Sequence, residues 1–414
     1  MEAVRPRAVA TSWLEAEGLV TAAPSPRERA RRLTLEYLWC RCRCGVYVRI
    51  SRGRLVAFVP FANPEFQNDW GLRGLLPARW ERWPEEARLP GALPPEHWWC
   101  NAGVLCTQSG REVWSTVLFP EFAALFNAAA SRAPEIDAEI FLNKRDFPNV
   151  RLDGADPYGA TFFGRTERVV RPQDLLPVLS CFVGPLFADV PIPLAQDHAA
   201  ADGGLPVWPD RASFDRDWEE RAPRAVFRGS ATGCGCCEEL NPRLALLSLT
   251  GPQSPHAEFF DVRITGRNGR IRKHPVDARL RCLPRARHAE RADFMSLDDQ
   301  RRRFRFAVCI EGHSAAGRLA SLLRNGFLVF LVDTVAAPAN ELFYTGWLSH
   351  RWHVVRCTLG QLPGLVRFYA MDRRAARDAA DIAWEATLFH ARWLAPCALE
   401  EQLATTLRDV GTAA

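Results

Sequence analysis

Two short stretches of this sequence join arginine, small residues and a helix-start signal in a way suited to holding an anion. The first is "FRGSATG" at residues 227–233, followed by "NPR" at 241–243. Asn241 is a good N-cap and Pro242 a good first helical residue, so Arg243 falls in the first turn. There its forked guanidinium can join backbone N–H groups, and Ser230 of the loop, on a phosphate. The second is "EGHSAAGRL" at 311–319. A strand leads through Gly312 and His313 into a helix read as capped by Ser314. Ala315, Ala316 and Gly317 keep its entrance narrow, and Arg318 offers its fork to a diphosphate. No Gly-Lys-Ser/Thr follows either stretch, which excludes a Walker loop. Each also reads as an ordinary βα turn with a surface arginine; two in one α/β domain favour a nucleotide.

A third stretch, "FLNKRDFPN" at 141–149, sets Asp146 after two cations, Lys144 and Arg145, at a strand-to-loop transition. A carboxylate so placed serves as a general base when it reaches an acceptor hydroxyl; the bland reading is a turn aspartate before Phe-Pro. Cys40, Cys42 and Cys44, with Cys234, Cys236 and Cys237, raise a metal reading. Neither group has the Cys-x-x-Cys spacing of structural zinc, so no metal site is assigned and the thiols are read as core or half-exposed. Asp215-Arg216-Asp217 matches an Asp-x-Asp metal motif but lies in a short amphipathic helix, and is read as a solvated face. Arg301, Arg302 and Arg303 are read likewise as a solvated helix end. Trp98-Trp99 reads as core, and Glu341 as a candidate for ribose.

The elements that must position these residues change character along the chain. Residues 1–30 read as a loose lead-in. "VYVRI" and "RLVAFVPFAN" flank Ser51-Arg52-Gly53-Arg54 as a hairpin. Residues 70–100, rich in Trp and Pro, read as an irregular excursion. "EFAALFNAAASRA" is helical, "AEIFLNKRDFP" is a strand running into a polar loop, and "LLPVLSCF" and "ADVPIPL" are short elements. From residue 216 onward, apolar strands alternate with helices, the pattern of parallel βαβ units. Asn325-Gly326 closes the helix after Arg318 in the left-handed manner. "RRAARDAADIAWEATLFHARWL" is a long closing helix.

The bulk properties set the frame. A chain of 414 residues exceeds one ordinary core. Apolar content of 48%, with 14 Trp, is enough for two. The division expected is a lead-in to residue 30, an N-terminal lobe at 31–215, a C-terminal lobe at 216–375, and a closing helix and tail at 376–414. The net charge of +5 is small for this length, and only Lys144 and Lys273 are lysines. That skew points to composition bias, and nucleic acid is not an expected partner. There is no secretory h-region and no apolar run near 20 residues, so a cytoplasmic protein without a membrane span is expected. Thirteen Cys then suit reduced thiols.

Taken in order, "NKRDFP", "FRGSATG…NPR" and "EGHSAAGRL" resemble glycosyltransferase family 90. That group holds the Rumi-type protein O-glucosyltransferases and the fungal capsule-associated xylosyltransferases, and is also described as a lipopolysaccharide-modifying enzyme family. With "GRLVAFVPFANPEFQNDW", "DGADPY" and "ADVPIPL", the chain looks most like signal-less members found in large DNA viruses. The resemblance covers roughly residues 45–395. It implies an α/β fold of two Rossmann-like lobes in the glycosyltransferase-B architecture, with a C-terminal helix packing back across the lobes. It implies an inverting transfer of glucose or xylose from a UDP-sugar to a hydroxyl of a protein or glycan, with no metal or other cofactor. Residue by residue, it implies the acceptor base at Asp146 and nucleotide contacts at Ser230 and Arg243. It implies a UDP cradle at His313, Ser314, Ala315, Ala316, Gly317 and Arg318. One departure is Glu311, which stands where the Rumi-type enzymes carry arginine; it leaves open a catalytically inactive relative that binds a nucleotide-sugar or a partner. An Arg-rich nucleic-acid binder is the remaining alternative.

Overall fold

A computed structural model describes residues 25–42, 44–62, 80–82, 99–101, 115–143, 145–157, 160, 167–199, 208–233, 238–239, 241–266, 294–334 and 341–412. The chain divides into two compact units: residues 1–198 with 399–414, and residues 199–398. The division thus falls at 198/199, where the sequence placed it at 215/216. Among the described residues no helix is long and apolar enough to cross a membrane.

In unit 1, helix α1 (Pro26–Tyr37) opens five residues inside the expected lead-in. Its start is a capping box: Ser25 Oγ accepts from Glu28 N, and Glu28 Oε2 accepts from Ser25 N. A π turn at Leu38–Cys42 leads to β1 (Cys44–Ser51) and β2 (Arg54–Ala62). These form the expected hairpin, with φ of +50° at Arg52 and +67° at Gly53, the mirror-image turn that matches strand twist. The stretch expected to be irregular holds a two-stranded antiparallel ladder, β3 (Trp80–Arg82) with β4 (Trp99–Asn101). Helix α2 (Ser115–Ser131) precedes β5 (Ala138–Asn143); β6 (Val178–Ser180), β7 (Val190–Pro191) and α3 (Ala195–Ala199) follow. The main sheet runs β2-β1-β5-β6-β7, antiparallel through β5 and parallel from β5 to β7. It is therefore mixed: the expected hairpin's tight turn forces β1 and β2 antiparallel, while β5, β6 and β7 pair in parallel.

Unit 2 is the more regular. Its elements are α4 (Arg211–Glu219), β8 (Ala222–Ser230), α5 (Pro242–Thr250), β9 (Phe260–Gly266), α6 (Leu297–Arg303) and β10 (Phe304–Cys309). They continue with α7 (Leu319–Arg324), β11 (Leu328–Val332), β12 (Val355–Cys357), α8 (Leu362–Met371) and α9 (Arg373–Trp393). All five strands pair in parallel, in the order β12-β11-β10-β8-β9. Parallel strands covered on both faces read as unbroken apolar runs, as "LVFLV" of β11 does. The core joins Phe227, Phe306, Phe330 and Val355 to Ala375, Ala379 and Ala383 of α9. The long closing helix thus packs inside unit 2. The last helix, α10 (Pro396–Thr412), belongs to unit 1 from Leu399 on, where Glu400 meets Arg132 at 2.6 Å.

Two surface readings are corrected by this packing. Asp217 accepts from Trp208 Nε1 at 3.0 Å, Arg221 Nη2 at 2.5 Å and Arg301 Nη1 at 2.8 Å. It is the hub of a charge network rather than part of a solvated face, and its lone pairs are committed to cations. Arg301 is buried in that network, while Arg302 and Arg303 are exposed. Arg221, wholly buried between Trp208 and Trp218, also donates to Gly326 O at 2.9 Å. Gly326 ends α7 as expected, at φ +60°. A Cβ there would sit 2.8 Å from Phe214 Cε2 and 3.0 Å from Trp208 Cη2. Gly326→Ala is therefore expected to cost about 2 kcal/mol and lower the thermal midpoint by several degrees. An unchanged midpoint would contradict the left-handed turn.

Candidate functional site

In unit 2 the strand order reverses between β8 and β10, so the chain leaves these neighbours in opposite directions. Such a switch point opens a crevice at the carboxyl ends of the strands, where open parallel sheets bind ligands. The two anion-suited stretches are the segments that leave β8 and β10 at this edge. After Ser230, the loop turns through Gly233 at φ +141°. Asn241 ties it to α5: Oδ1 accepts from Arg243 N at 3.0 Å and Leu244 N at 3.2 Å, and Nδ2 donates to Ala231 O at 3.1 Å. The expected Asn241-Pro242 start is thus present.

Arg243 is buried and spans both loops. Nε donates to Glu311 O at 2.9 Å, Nη1 to Ser230 O at 3.0 Å and to Thr232 Oγ1 at 2.6 Å, and Nη2 to Ile310 O at 3.3 Å. Arg318 reaches back to donate to Arg228 O. Both guanidiniums lie over the Phe227 ring, at 5.6 and 5.4 Å from its centroid. The approach requires two glycines. A Cβ on Gly312 would meet Thr232 Oγ1 at 2.5 Å and Arg243 Nη2 at 2.9 Å; one on Gly229 would meet Phe227 Cζ at 2.8 Å and Arg318 Nη2 at 3.3 Å. Burial, and then the charge of Arg318, pull Arg243 down to about 10; burial also lowers Arg318. No carboxylate within 4.0 Å pairs with either arginine among the described residues. Two desolvated like charges of this kind are relieved by an anion. Arg228, by contrast, is engaged by Asp261 Oδ2 at 2.8 Å.

The second stretch departs from expectation in one respect. Ser314 is buried and does not cap a helix; residues 312–318 form turns, closed by Gly312 N donating to Ser314 O at 3.0 Å. Helix α7 begins only at Leu319, with Arg318 at its N-cap and no side-chain cap. Two glycines and a histidine ahead of Arg318 favour turns over an early helix start. Six helical residues offer little dipole, so any anion affinity here rests on Arg318. His313, Ala315, Ala316 and Gly317 are half-buried along the turn.

Beside this turn, at the carboxyl ends of β10 and β11, lies a cavity of about 220 Å³. Ala315 and Ala316 form part of its wall, and its charged lining is Glu311, Asp333, Glu341 and Arg356. Glu311 is buried and accepts from Thr334 Oγ1. Arg356 lies 3.6 Å from Asp333 and donates to Thr345 O at 2.9 Å. Among the described residues, no group of three His, Cys, Asp or Glu is gathered as metal ligands. Cys42 donates a weak bond to Asn149 O; Cys234, Cys236 and Cys237 lie outside the described residues, as does Trp98.

Asp146 belongs to unit 1, in the loop that leaves β5. A buried network that sequence reasoning missed fixes this loop. Asn143 Nδ2 donates to Phe147 O at 2.7 Å and to Ser180 Oγ at 2.9 Å, and its Oδ1 accepts from Arg145 N at 2.8 Å. Asp189 accepts from Ser180 Oγ at 2.5 Å and from the backbone N of Asn149 and of Val150 at 2.7 Å each. Burial pushes Asp189 up to about 6 against these bonds. The available signal was a lone acidic residue inside the apolar run "ADVPIPL". Asp146 is half-buried, and Asp197 also stands at this edge; the charges of both raise the Cys181 thiol, after burial.

No family model matches the chain. It is 30% identical over 384 residues to uncharacterized protein 035R of Invertebrate iridescent virus 3, which takes in 85% of this chain and 34% of that protein. It is 24% identical over 375 residues to uncharacterized protein 179R of Invertebrate iridescent virus 6, covering 77% and 31%. It is 28% identical over 330 residues to uncharacterized protein 027R of Frog virus 3 (isolate Goorha), covering 72% and 33%. The chain spans about a third of the length of these relatives.

Asp197 gives a pH test of the unit 1 edge. Burial pushes its carboxyl up to about 7, and its Oδ2 has no hydrogen-bond partner. A carboxyl raised in the folded state favours folding below its unfolded value near 4, and that contribution is lost as pH rises through about 7. Asp197→Asn, neutral throughout, should therefore gain on the wild type between pH 5 and pH 8. The gain expected is on the order of 2 kcal/mol, read as a widening gap in thermal midpoint. A gap that does not change with pH would refute the buried charge.

Proposed function

We propose that the chain is an inverting, metal-independent glycosyltransferase that moves glucose or xylose from a UDP-sugar to a hydroxyl of a protein or glycan. On this reading its two units are the lobes of a glycosyltransferase-B arrangement. The observation that carries the proposal is the pair of desolvated arginines, Arg243 and Arg318, at the switch-point edge, with no carboxylate partner within 4.0 Å among the described residues. In such a transfer the acceptor O–H bond breaks as oxygen bonds to the anomeric carbon from the face opposite the diphosphate. The bond to the leaving UDP breaks with it, and negative charge gathers on the diphosphate. Fixed cations at that point stabilise the transition state without reorganising. Arg243 has given four hydrogen bonds to protein oxygens, so its part is to set the edge and supply charge. Arg318, with one, is the group proposed to meet the phosphate directly. Asp146 is proposed to take the acceptor proton, held by the Asn143–Ser180–Asp189 network.

A nucleotide-sugar-binding relative without turnover is the second reading, favoured by Glu311. Its buried carboxylate brings negative charge to the loop that also supplies an acceptor to Arg243.

UDP in the presence of a chelator is expected to raise the thermal midpoint, by about 2.7 kcal/mol of stability at a hundredfold excess over its Kd. Arg318→Ala should remove most of that gain. Asp146→Asn should abolish transfer or hydrolysis of the UDP-sugar and keep the stabilisation. Indifference to every nucleoside diphosphate would sink the transferase reading. UDP binding with no hydrolysis in the wild type would select the second reading.

A further inference from the structure

Helix α8 carries more apolar surface than its core contact uses. Its buried stripe is Leu362, Val366 and Tyr369, spaced i, i+4 and i+7 and packed into the core of unit 2. The opposite stripe, Gly364, Arg367, Phe368 and Met371, is spaced i, i+3, i+4 and i+7 and is exposed throughout. Phe368 is 45% exposed and Met371 68%. Polar residues at these two places would leave the core stripe untouched, so packing within unit 2 does not account for them. Gly364 leaves the same stripe open: a Cβ there would meet nothing within 4 Å.

The charge around this stripe is mostly cationic. Helix α8 passes into α9 through a single residue, Asp372, whose Oδ1 accepts from Arg374 N and Ala375 N at 2.9 Å each. The corner so fixed carries Arg373, Arg374 and Arg377, all exposed, in addition to Arg367. None of these four guanidiniums has a carboxylate within 4.0 Å among the described residues. Asp372 is committed to its cap, and Asp378 is half-buried.

We propose that this corner docks on an anionic lipid surface, with Phe368 and Met371 entering the acyl boundary and the four arginines meeting the headgroups. Charge complementarity selects the occupant. The arginines call for anions, and the apolar side chains set among them call for an apolar layer directly behind those anions. A bilayer interface has that layering. A nucleic-acid backbone supplies the anions without a layer for Met371, which cannot stack on bases as an aromatic ring does. The inference is independent of the transferase reading, because none of these residues belongs to the arginine edge or to the Asp146 loop.

The test is flotation of the whole chain with vesicles of phosphatidylcholine alone or with about a third of phosphatidylserine. The chain should float with the anionic vesicles, stay behind with the neutral ones, and be released by raised salt. Met371→Glu and Phe368→Glu should each weaken partitioning about tenfold. Arg373→Ala and Arg374→Ala should each weaken it about fivefold. Gly364→Leu, whose side chain enters open space on the same stripe, should strengthen it about tenfold. No variant should melt below the wild type, which separates lost docking from lost folding. If the chain ignores anionic vesicles at low salt, or if Met371→Glu and Gly364→Leu float as the wild type does, the proposal is overturned. Binding to a single-stranded oligonucleotide that needs Arg374 but not Met371, without flotation, overturns it in favour of nucleic acid. Indifference to vesicles and oligonucleotide alike overturns it in favour of a protein partner.

Discussion

The edge of unit 2 depends on one guanidinium. Arg243 joins the loop after β8, the first turn of α5 and the loop after β10 through four hydrogen bonds to protein oxygens. An ion so deeply buried is costly unless its donors are met, and here the two loops meet four of its five N–H groups with carbonyl oxygens and one hydroxyl. The geometry is possible only because Gly312 lets the second loop press against Thr232 and Arg243. A lysine could not span the same acceptors, since it has a single nitrogen and no planar fork. The arginine is therefore structural before it is anything else. No carboxylate within 4.0 Å pairs with it among the described residues, although Glu311 acts on it from further away, and Arg318 lies over the same phenyl ring.

This division of labour was only half legible in the sequence. Asn241-Pro242, Gly326 and the Arg52-Gly53 hairpin were readable because each is decided within a few residues by capping or by positive φ. The alternation in the second half was readable because parallel strands need helices between them. What was missed is non-local. Asp217 looked like a solvated helix face because its three donors, from Trp208, Arg221 and Arg301, come from separate elements. The mixed character of the unit 1 sheet lies in the pairing of β1 with β5, 88 or more residues on (Ile50 to Ala138 being the nearest pair). The reading of Ser314 as a cap failed locally: a serine at a plausible spacing was outweighed by the turn that Gly312 and Gly317 allow. The capping box at Ser25 and Glu28 was in plain sight, in a stretch whose composition read as loose.

Unit 1 shows the same principle at a proposed catalytic loop. Within "NKRDFPN" the loop around Asp146 is held by Asn143, which bridges to Phe147 O, and from outside it by Asp189, whose carboxylate receives the backbone N–H groups of Asn149 and Val150. Asp189 is buried and already holds two backbone amides and the Ser180 hydroxyl, which makes it a positioning group. Asp146, half-buried in the same loop, is the carboxylate proposed above to take the acceptor proton.

The two charge environments in unit 2 act together through Glu311. Its carbonyl oxygen is an acceptor for Arg243, while its side chain accepts from Thr334 and lines the acidic cavity. One residue therefore borders both a cationic edge and an anionic pocket. An arginine at this position would have placed a third guanidinium beside Arg243 and Arg318 and extended the cationic edge into the cavity. A glutamate ends it there. On the proposed reading, phosphate is held away from the pocket by repulsion and drawn to the edge by attraction.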